Sequence, residues 1–327
     1  MSKGSYYLKR IAVTIALIFG VATFLFFAAR AMPGDYATLL AGDGASQETL
    51  NALRAKWGLD QPLHVQYYQY MANLLTGDAG VSRATGDPVI ETVGTAFMNT
   101  AIIAIPALLL SFVIGSVYGA VMGNSPGSKL EKYGIIPPTV FGTTPDFFLG
   151  ILLLFLFSSW LGLFPSGSLA SIQTYRAIDH HWEIYLTGDF LLHATLPFLT
   201  ITLKYLYYPA LIMRGSVVEV RGQEFAAYQR LLGLKNSTRF KHLMKHASLP
   251  VITVLPALTA TSISAQVLIE YVFNWPGLGK LLFESVLQRD TPVIQFLFLV
   301  IATWIIIGNF VVDIAYTMID PRITYDD

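Results

Sequence analysis

The residue types that most often carry chemistry are sparse in this chain and are rarely spaced to act together. His180 and His181 are adjacent, and imidazoles are common metal ligands. Neighbours in sequence do not share a helical face, so His180-His181-Trp182-Glu183 reads as an exposed loop, not a metal site. Gly277-Leu278-Gly279-Lys280 has the glycines and lysine of a phosphate loop. It lacks the leading glycine, the trailing Ser or Thr and a preceding strand. Neither H-E-x-x-H nor G-x-S-x-G occurs, which argues against a zinc or serine hydrolase. With no cysteine there are no thiol nucleophiles, disulfides or zinc–thiolate sites, and the redox compartment stays open. No catalysis, metal or cofactor of its own is expected.

What remains is a set of polar residues in apolar surroundings: Asp146, Lys204, Asn309 and Asp313. Composition explains the surroundings. Of 327 residues, 54% are hydrophobic and 13% charged, about half the charged share of an ordinary globular chain. The 21 Phe, 17 Tyr and 5 Trp carry more apolar surface than one soluble core can bury. Lys+Arg and Asp+Glu are 21 each, so no net charge draws the chain to nucleic acid. The class is an all-α integral membrane protein, with the lipid bilayer as its solvent.

Crossing ~30 Å of hydrocarbon takes about 20 apolar residues. Ile11–Ala29 is the clearest span, entered through Lys9 and Arg10. Ala29-Arg30-Ala31 has the small-x-small form of a signal-peptide cleavage site, but the run is long for a signal core and is read as retained. Further spans are expected at 98–123, 136–160, 192–213, 250–272 and 294–318. Six spans place both termini on one side. Lys and Arg decide which side: seven of them, Arg214, Arg221, Arg230, Lys235, Arg239, Lys241 and Lys245, fall in the segment 214–249. That segment and both termini are therefore cytoplasmic. The organisation is a cytoplasmic N-terminus and first span (1–30), an extracytoplasmic segment (31–97) and a core of five spans (98–327).

Depth arithmetic brings two of the polar residues together. At about 1.5 Å rise per residue, Asp146 lies about 15 Å and Lys204 about 12 Å from the inner face. A lone charge there costs at least ~2.5 kcal/mol. The two are expected to pair or to face an aqueous pathway together, with Asp313 as the rival partner for Lys204.

Outside the spans, Gln47-Glu48-Thr49-Leu50 leads into a short helix with Leu50, Leu53 and Trp57 on one face. Gly58 should stop it and Pro62 should bar its resumption. The segment 161–191 is Gly/Ser-punctuated. Cytoplasmic 215–249 carries two amphipathic helices. From Gln223 to Leu232, Glu224 lies near the positive pole and Arg230 near the negative one, and Gly233 supplies a left-handed stop. Phe225, Tyr228 and Leu232 form a ridge, with low-profile Ala226 and Ala227 beside it. After Asn236-Ser237, Phe240, Leu243, Met244 and Ala247 make an apolar stripe, and Lys241, His242, Lys245 and His246 fall off it.

Glu224-Phe225-Ala226-Ala227-Tyr228-Gln229-Arg230-Leu231-Leu232-Gly233 resembles the cytoplasmic coupling motif of ABC importer permeases: an acid, an aromatic, small residues, and a glycine nine positions after the acid. Met32-Pro33-Gly34-Asp35, Gly58-Leu59-Asp60-Gln61-Pro62 and Gly77-Asp78-Ala79-Gly80 narrow the resemblance to the first permease subunit of the dipeptide/oligopeptide family. So do Glu270 through Gly279, Asp313 and Asp320-Pro321-Arg322. Gln229, where the family usually has alanine, and Asp146, where a small polar residue is usual, are departures.

The resemblance implies a type I ABC importer transmembrane domain. Its partners would be a second, similar permease subunit, two cytoplasmic ATPases that hold ATP and Mg, and an extracytoplasmic substrate-binding protein in a bacterial or archaeal inner membrane. Glu224, Phe225, Ala226, Ala227, Tyr228 and Gly233 would couple to the ATPase. Glu270, Trp275, Pro276 and Gly277 would form an outer gate or binding-protein contact, with Trp275 at interface depth. The substrate would be di- or oligopeptides, with nickel complexes or oligosaccharides as alternatives on the same machinery. An ion-coupled secondary transporter is a remote alternative that the intramembrane charges leave open.

Overall fold

The computed structural model describes residues 3–31, 37, 41, 44–56 and 59–319; Met32-Pro33-Gly34-Asp35, Trp57, Gly58 and Asp320-Pro321-Arg322 lie outside them. In chain order the helices begin with α1 (Lys3–Ala31), α2 (Gln47–Lys56), α3 (Leu63–Thr76) and α4 (Val89–Gly123). Next come α5 (Lys129–Gly134), α6 (Ile136–Thr143) and α7 (Asp146–Leu153), the last continued by a π-helical stretch, Leu154–Trp160. After α8 (Ile172–Ala177) and a 3-10 turn (His181–Leu186) follow α9 (Gly188–Tyr205) and α10 (Tyr207–Arg221). The chain continues through α11 (Glu224–Leu231), α12 (Asn236–Ala247), α13 (Leu249–Val272), α14 (Leu278–Leu287) and α15 (Thr291–Ile319).

Among the described residues, four helical stretches are long and apolar enough to cross a membrane: Ser5–Ala31, Val89–Gly123, Gly188–Arg221 and Thr291–Ile314. A fifth is the pair Lys129–Thr143 and Asp146–Trp160, if its two halves count as one span; they are bent by 105°. α13 covers the stretch expected at 250–272. Ile15, Leu17, Phe19, Phe24 and Phe27 are exposed on α1, as suits a helix surrounded by lipid.

The chain forms two compact units, Met1–Met98 with Gly277–Asp327, and Asn99–Pro276. In the first, α1 packs along α15. α3 lies on α1 through Phe26, which meets Tyr67 at 5.3 Å and Tyr70 at 5.4 Å between ring centroids. Thr23 and Tyr67 share a 2.8 Å hydrogen bond, and Arg30 Nε donates to Gln66 Oε1 at 3.0 Å. α3 corrects one expectation: Pro62 does not bar a helix but precedes one directly. The N–H groups of a first turn have no intrahelical partner, so a proline there forfeits nothing. α2 forms as expected, with Leu50 buried, Leu53 half-buried and Ser46 Oγ accepting from Thr49 N at 3.1 Å. Val89, Val93 and Ala96 pack with Leu278, Val293 and Leu297. The Asp290 carboxylate accepts from Ser82 Oγ at 2.6 Å and from the backbone N–H groups of Arg83 and Ala84 at 3.1 Å each.

In the second unit α4 meets α10 closely. Gly115, Gly119 and Gly123 recur every four residues, and a Cβ on Gly119 would sit 2.2 Å from the Ala210 carbonyl oxygen. Small residues at this spacing let two helix backbones approach, which substitutes for the hydrophobic drive that lipid does not supply. α7 packs against α9 and α13. The expected straight span 136–160 is broken because Pro145 disfavours helical backbone at the residue before it: Thr144 is extended, at φ −66°, ψ 136°.

Candidate functional site

The basic segment folds as two helices in contact with one another and with α10. α11 has an acid in its first turn and Arg230 in its last, and it ends at Gly233, whose φ is +68°. Ala226 is buried in a cluster with Met213, Val217 and Val220 of α10 and with Leu243 and Ala247 of α12. Phe240 and Met244 pack against the same cluster, so the apolar stripe of α12 faces inward as its spacing predicts.

The ridge on α11 is rotated from its expected position. Phe225 is half-buried against this cluster, and its ring meets the His246 ring at 4.9 Å. Tyr228, Leu231 and Leu232 are instead the outward residues, 62%, 85% and 58% exposed. They sit at i, i+3 and i+4, a pattern as compatible with the sequence as the expected one. Glu224, Ala227 and Gly233 are exposed beside them. Gln229, the departure from the resembled pattern, bonds His242 Nδ1 at 3.0 Å through its amide in an exposed contact that ties α11 to α12.

Lys204 and Asp146 meet at the helix break. Lys204 Nζ donates to the carbonyls of Gly142 (2.9 Å) and Thr144 (2.6 Å) and lies 3.2 Å from Asp146 Oδ1. The hydrogen bonds run to the carbonyls; the carboxylate adds an ion pair without hydrogen-bond alignment. Asp313 is not the partner of Lys204, because it pairs with Arg10 at 3.3 Å within the first unit. Asn309 is exposed on α15.

At the end of α13 the chain turns sharply, with Asn274 left-handed at φ +49°. Trp275 is not at a surface: it is wholly buried, packs near Phe190 and donates from Nε1 to Asn99 O at 2.8 Å. A fully enclosed indole offers a partner protein nothing to touch. Pro276 O accepts from Asn99 Nδ2 at 2.8 Å, and Tyr185 OH donates to Asn99 Oδ1 at 2.6 Å, where burial pushes the phenol up. Glu270, also fully buried, accepts from Thr100 Oγ1 at 2.6 Å. Gly277 is buried, extended, and leads into α14. Asn99 and Thr100 carry no motif of their own, and only the fold reveals them as the anchors of this turn. His180, His181 and Trp182 are exposed in their loop.

Comparison with known proteins covers nearly the whole chain. Residues 115–325 match the family described as binding-protein-dependent transport system inner membrane component, and residues 5–112 match its N-terminal region. The oligopeptide transport system permease protein AppB of Bacillus subtilis is 32% identical over 325 residues, 98% of this chain and 99% of that protein. A probable peptide ABC transporter permease protein, y4tP of Sinorhizobium fredii, is 31% identical, covering 98% of this chain and 100% of its own. The glutathione transport system permease protein GsiC of Salmonella typhimurium is 32% identical, covering 98% and 99%.

Proposed function

Since this chain belongs to the family of binding-protein-dependent transport system inner membrane components, a family of ABC transporter permeases, we propose that it forms one half of a peptide import pathway. Oligopeptides, peptides and glutathione are the cargo named for the relatives that match end to end, and di- or oligopeptides are the cargo proposed here. In this reading the chain itself hydrolyses nothing. It pairs with a second, similar permease subunit, an extracytoplasmic binding protein delivers the peptide, and two cytoplasmic ATPases hold ATP and Mg. The same reading takes α13 as a sixth span beside the apolar stretches and puts both termini in the cytoplasm, which the cations of 214–249 support. Residues 31–97 then lie outside, and α11 and α12 inside.

The observation that carries the reading is the outward ridge Tyr228, Leu231 and Leu232 on α11. Three large apolar side chains held out on a short, braced helix suit a groove on an ATPase, where such anchors dominate binding. A packed contact of this kind transmits rigid-body motion, because it switches between discrete arrangements. Lys204 with Asp146, and the Glu270–Gly277 turn, would belong to the moving pathway and its outer end.

The test is reconstitution of the whole transporter in proteoliposomes, with substrate-stimulated ATP hydrolysis and peptide uptake measured together. Tyr228→Ala with Leu231→Ala should abolish stimulation and leave the permease folded. Phe225→Ala should instead lower its stability, by roughly 3 kcal/mol if the cavity does not collapse. Normal stimulated hydrolysis in the double variant would refute the coupling role.

A further inference from the structure

The inner faces of α10, α11 and α12 enclose a cleft of about 180 Å³ that the transport reading does not use. Arg221, Arg230 and Arg239 line it, with the amide side chains of Asn124, Gln229 and Asn236. No carboxylate is among its lining residues, and among the described residues none pairs with any of the three guanidinium groups. Two turns earlier on α10 the contrast is plain: Arg214 makes a two-pronged contact with Glu131, at 2.9 and 2.6 Å. The three arginines use few of their donors on their own chain. Arg221 bonds the Asn124 carbonyl, Arg230 reaches Ala226 O at 3.4 Å, and Arg239 bonds the Asn236 side chain. A guanidinium carries five N–H donors, so most are left for a ligand.

We propose that this cleft is a binding site for a phosphate group. Three planar, permanently charged donor forks lining one small cleft match an anion with several acceptor oxygens better than they match a single carboxylate. The volume narrows the ligand further. Typical small-molecule sites measure about 300–1,000 Å³. A cleft of about 180 Å³ suits a headgroup-sized anion. Position gives the two sources of that chemistry. α12 is amphipathic, with Lys241 and Lys245 exposed off its apolar stripe, as in helices that lie against anionic lipid. The phosphate is therefore that of an acidic phospholipid or a free ion from solution. Either would bridge α11 to α10 and α12 and so brace the helix that bears the outward ridge. The site stands on its own geometry, and its test needs no transport.

The purified full-length transporter would be titrated with inorganic phosphate in zwitterionic detergent, by calorimetry. In parallel, nanodiscs of phosphatidylglycerol or of phosphatidylcholine would be compared by native mass spectrometry for retained lipid. Saturable phosphate binding, or selective retention of phosphatidylglycerol, is expected for the wild type; the first identifies a soluble ligand and the second a lipid headgroup. Arg221→Gln with Arg239→Gln should weaken that binding at least about tenfold, and Arg239→Lys less, since it keeps the charge but loses the fork. Arg176→Gln, on α8 and outside the cleft, should leave it unchanged. Should the double variant fold poorly, Arg239→Lys against Arg176→Gln still decides the matter. The proposal falls if neither probe binds the wild type, or if binding is the same in every variant. It also falls if the arginine substitutions only loosen association with the ATPase subunits, because the cleft would then serve a protein carboxylate.

Discussion

Lys204 Nζ lies 3.2 Å from Asp146 Oδ1 across a 105° break between two apolar helices, and the same ammonium donates to the carbonyls of Gly142 and Thr144. The two charges sit at complementary poles. Carbonyls at the C-terminal end of α6 present partial negative charge to the cation, and Asp146 occupies the positive first turn of α7. One lysine thus holds three groups that the break would otherwise leave unsatisfied in a low-dielectric setting.

Removing either charge should therefore be costly, and unequally so. Lys204→Met strands a carboxylate and two carbonyls, whereas Asp146→Asn leaves the ammonium with both its carbonyl acceptors. Each should lower the yield of folded protein and the unfolding temperature in detergent. Lys204→Met should be the worse, by at least about 2.5 kcal/mol, the insertion cost of an unpaired charge. The double variant should recover part of the loss; strictly additive effects would mean that the two do not interact.

Gly233 separates backbone geometry from crowding. Its φ is +68°, and a Cβ placed there would meet nothing within 4 Å. The only penalty within this chain is the left-handed conformation, which Asn tolerates and a β-branched residue resists, at roughly 1–2 kcal/mol. Gly233→Asn should keep near-normal stimulated hydrolysis and Gly233→Val should lose most of it. Equal loss in both would locate the requirement in a partner packed against the glycine.

Sequence periodicity reached some of this and stopped for identifiable reasons. The helix ending at Gly233, the buried stripe Phe240–Ala247 and the apolar stretches follow from spacing alone, because each has one dominant face or none. The bend falls on Gly142-Thr143-Thr144-Pro145-Asp146, a polar interruption that an expected single span over 136–160 passes over. The orientation of α11 was not fixed, because apolar residues at 225, 228, 231 and 232 give two compatible faces. Packing against α12, with His246 under Phe225, chooses between them. Trp275 looked like an interfacial tryptophan by type; its burial depends on Asn99, 176 residues away in sequence.

The glycine spacing at 115, 119 and 123 makes a sharper forecast than hydropathy can. Because a Cβ on Gly119 would run into the Ala210 carbonyl oxygen, even Gly119→Ala must push α4 from α10. Folded yield should fall strongly. Gly215→Ala, where a Cβ meets nothing within 4 Å, should be neutral or stabilise by roughly 0.5–1 kcal/mol, as alanine does within a helix. Similar behaviour of the two variants, read by size-exclusion chromatography, would refute the close crossing.

Gln266 on α13 predicts an effect of opposite sign. It is 2% exposed, and among the described residues neither its Oε1 nor its Nε2 has a hydrogen-bond partner. A buried amide left unbonded costs about 1–3 kcal/mol, and replacing it with an apolar group of similar volume removes that cost. Gln266→Leu should therefore raise the unfolding temperature of the detergent-solubilised protein, an uncommon outcome for a substitution in a core. A polar group kept at such a cost is expected to find its partner in another conformation of the transport cycle, so uptake should fall as stability rises. A lower unfolding temperature would show that the amide is already bonded in the assembled transporter. Higher stability with unchanged uptake would show that transport does not use it.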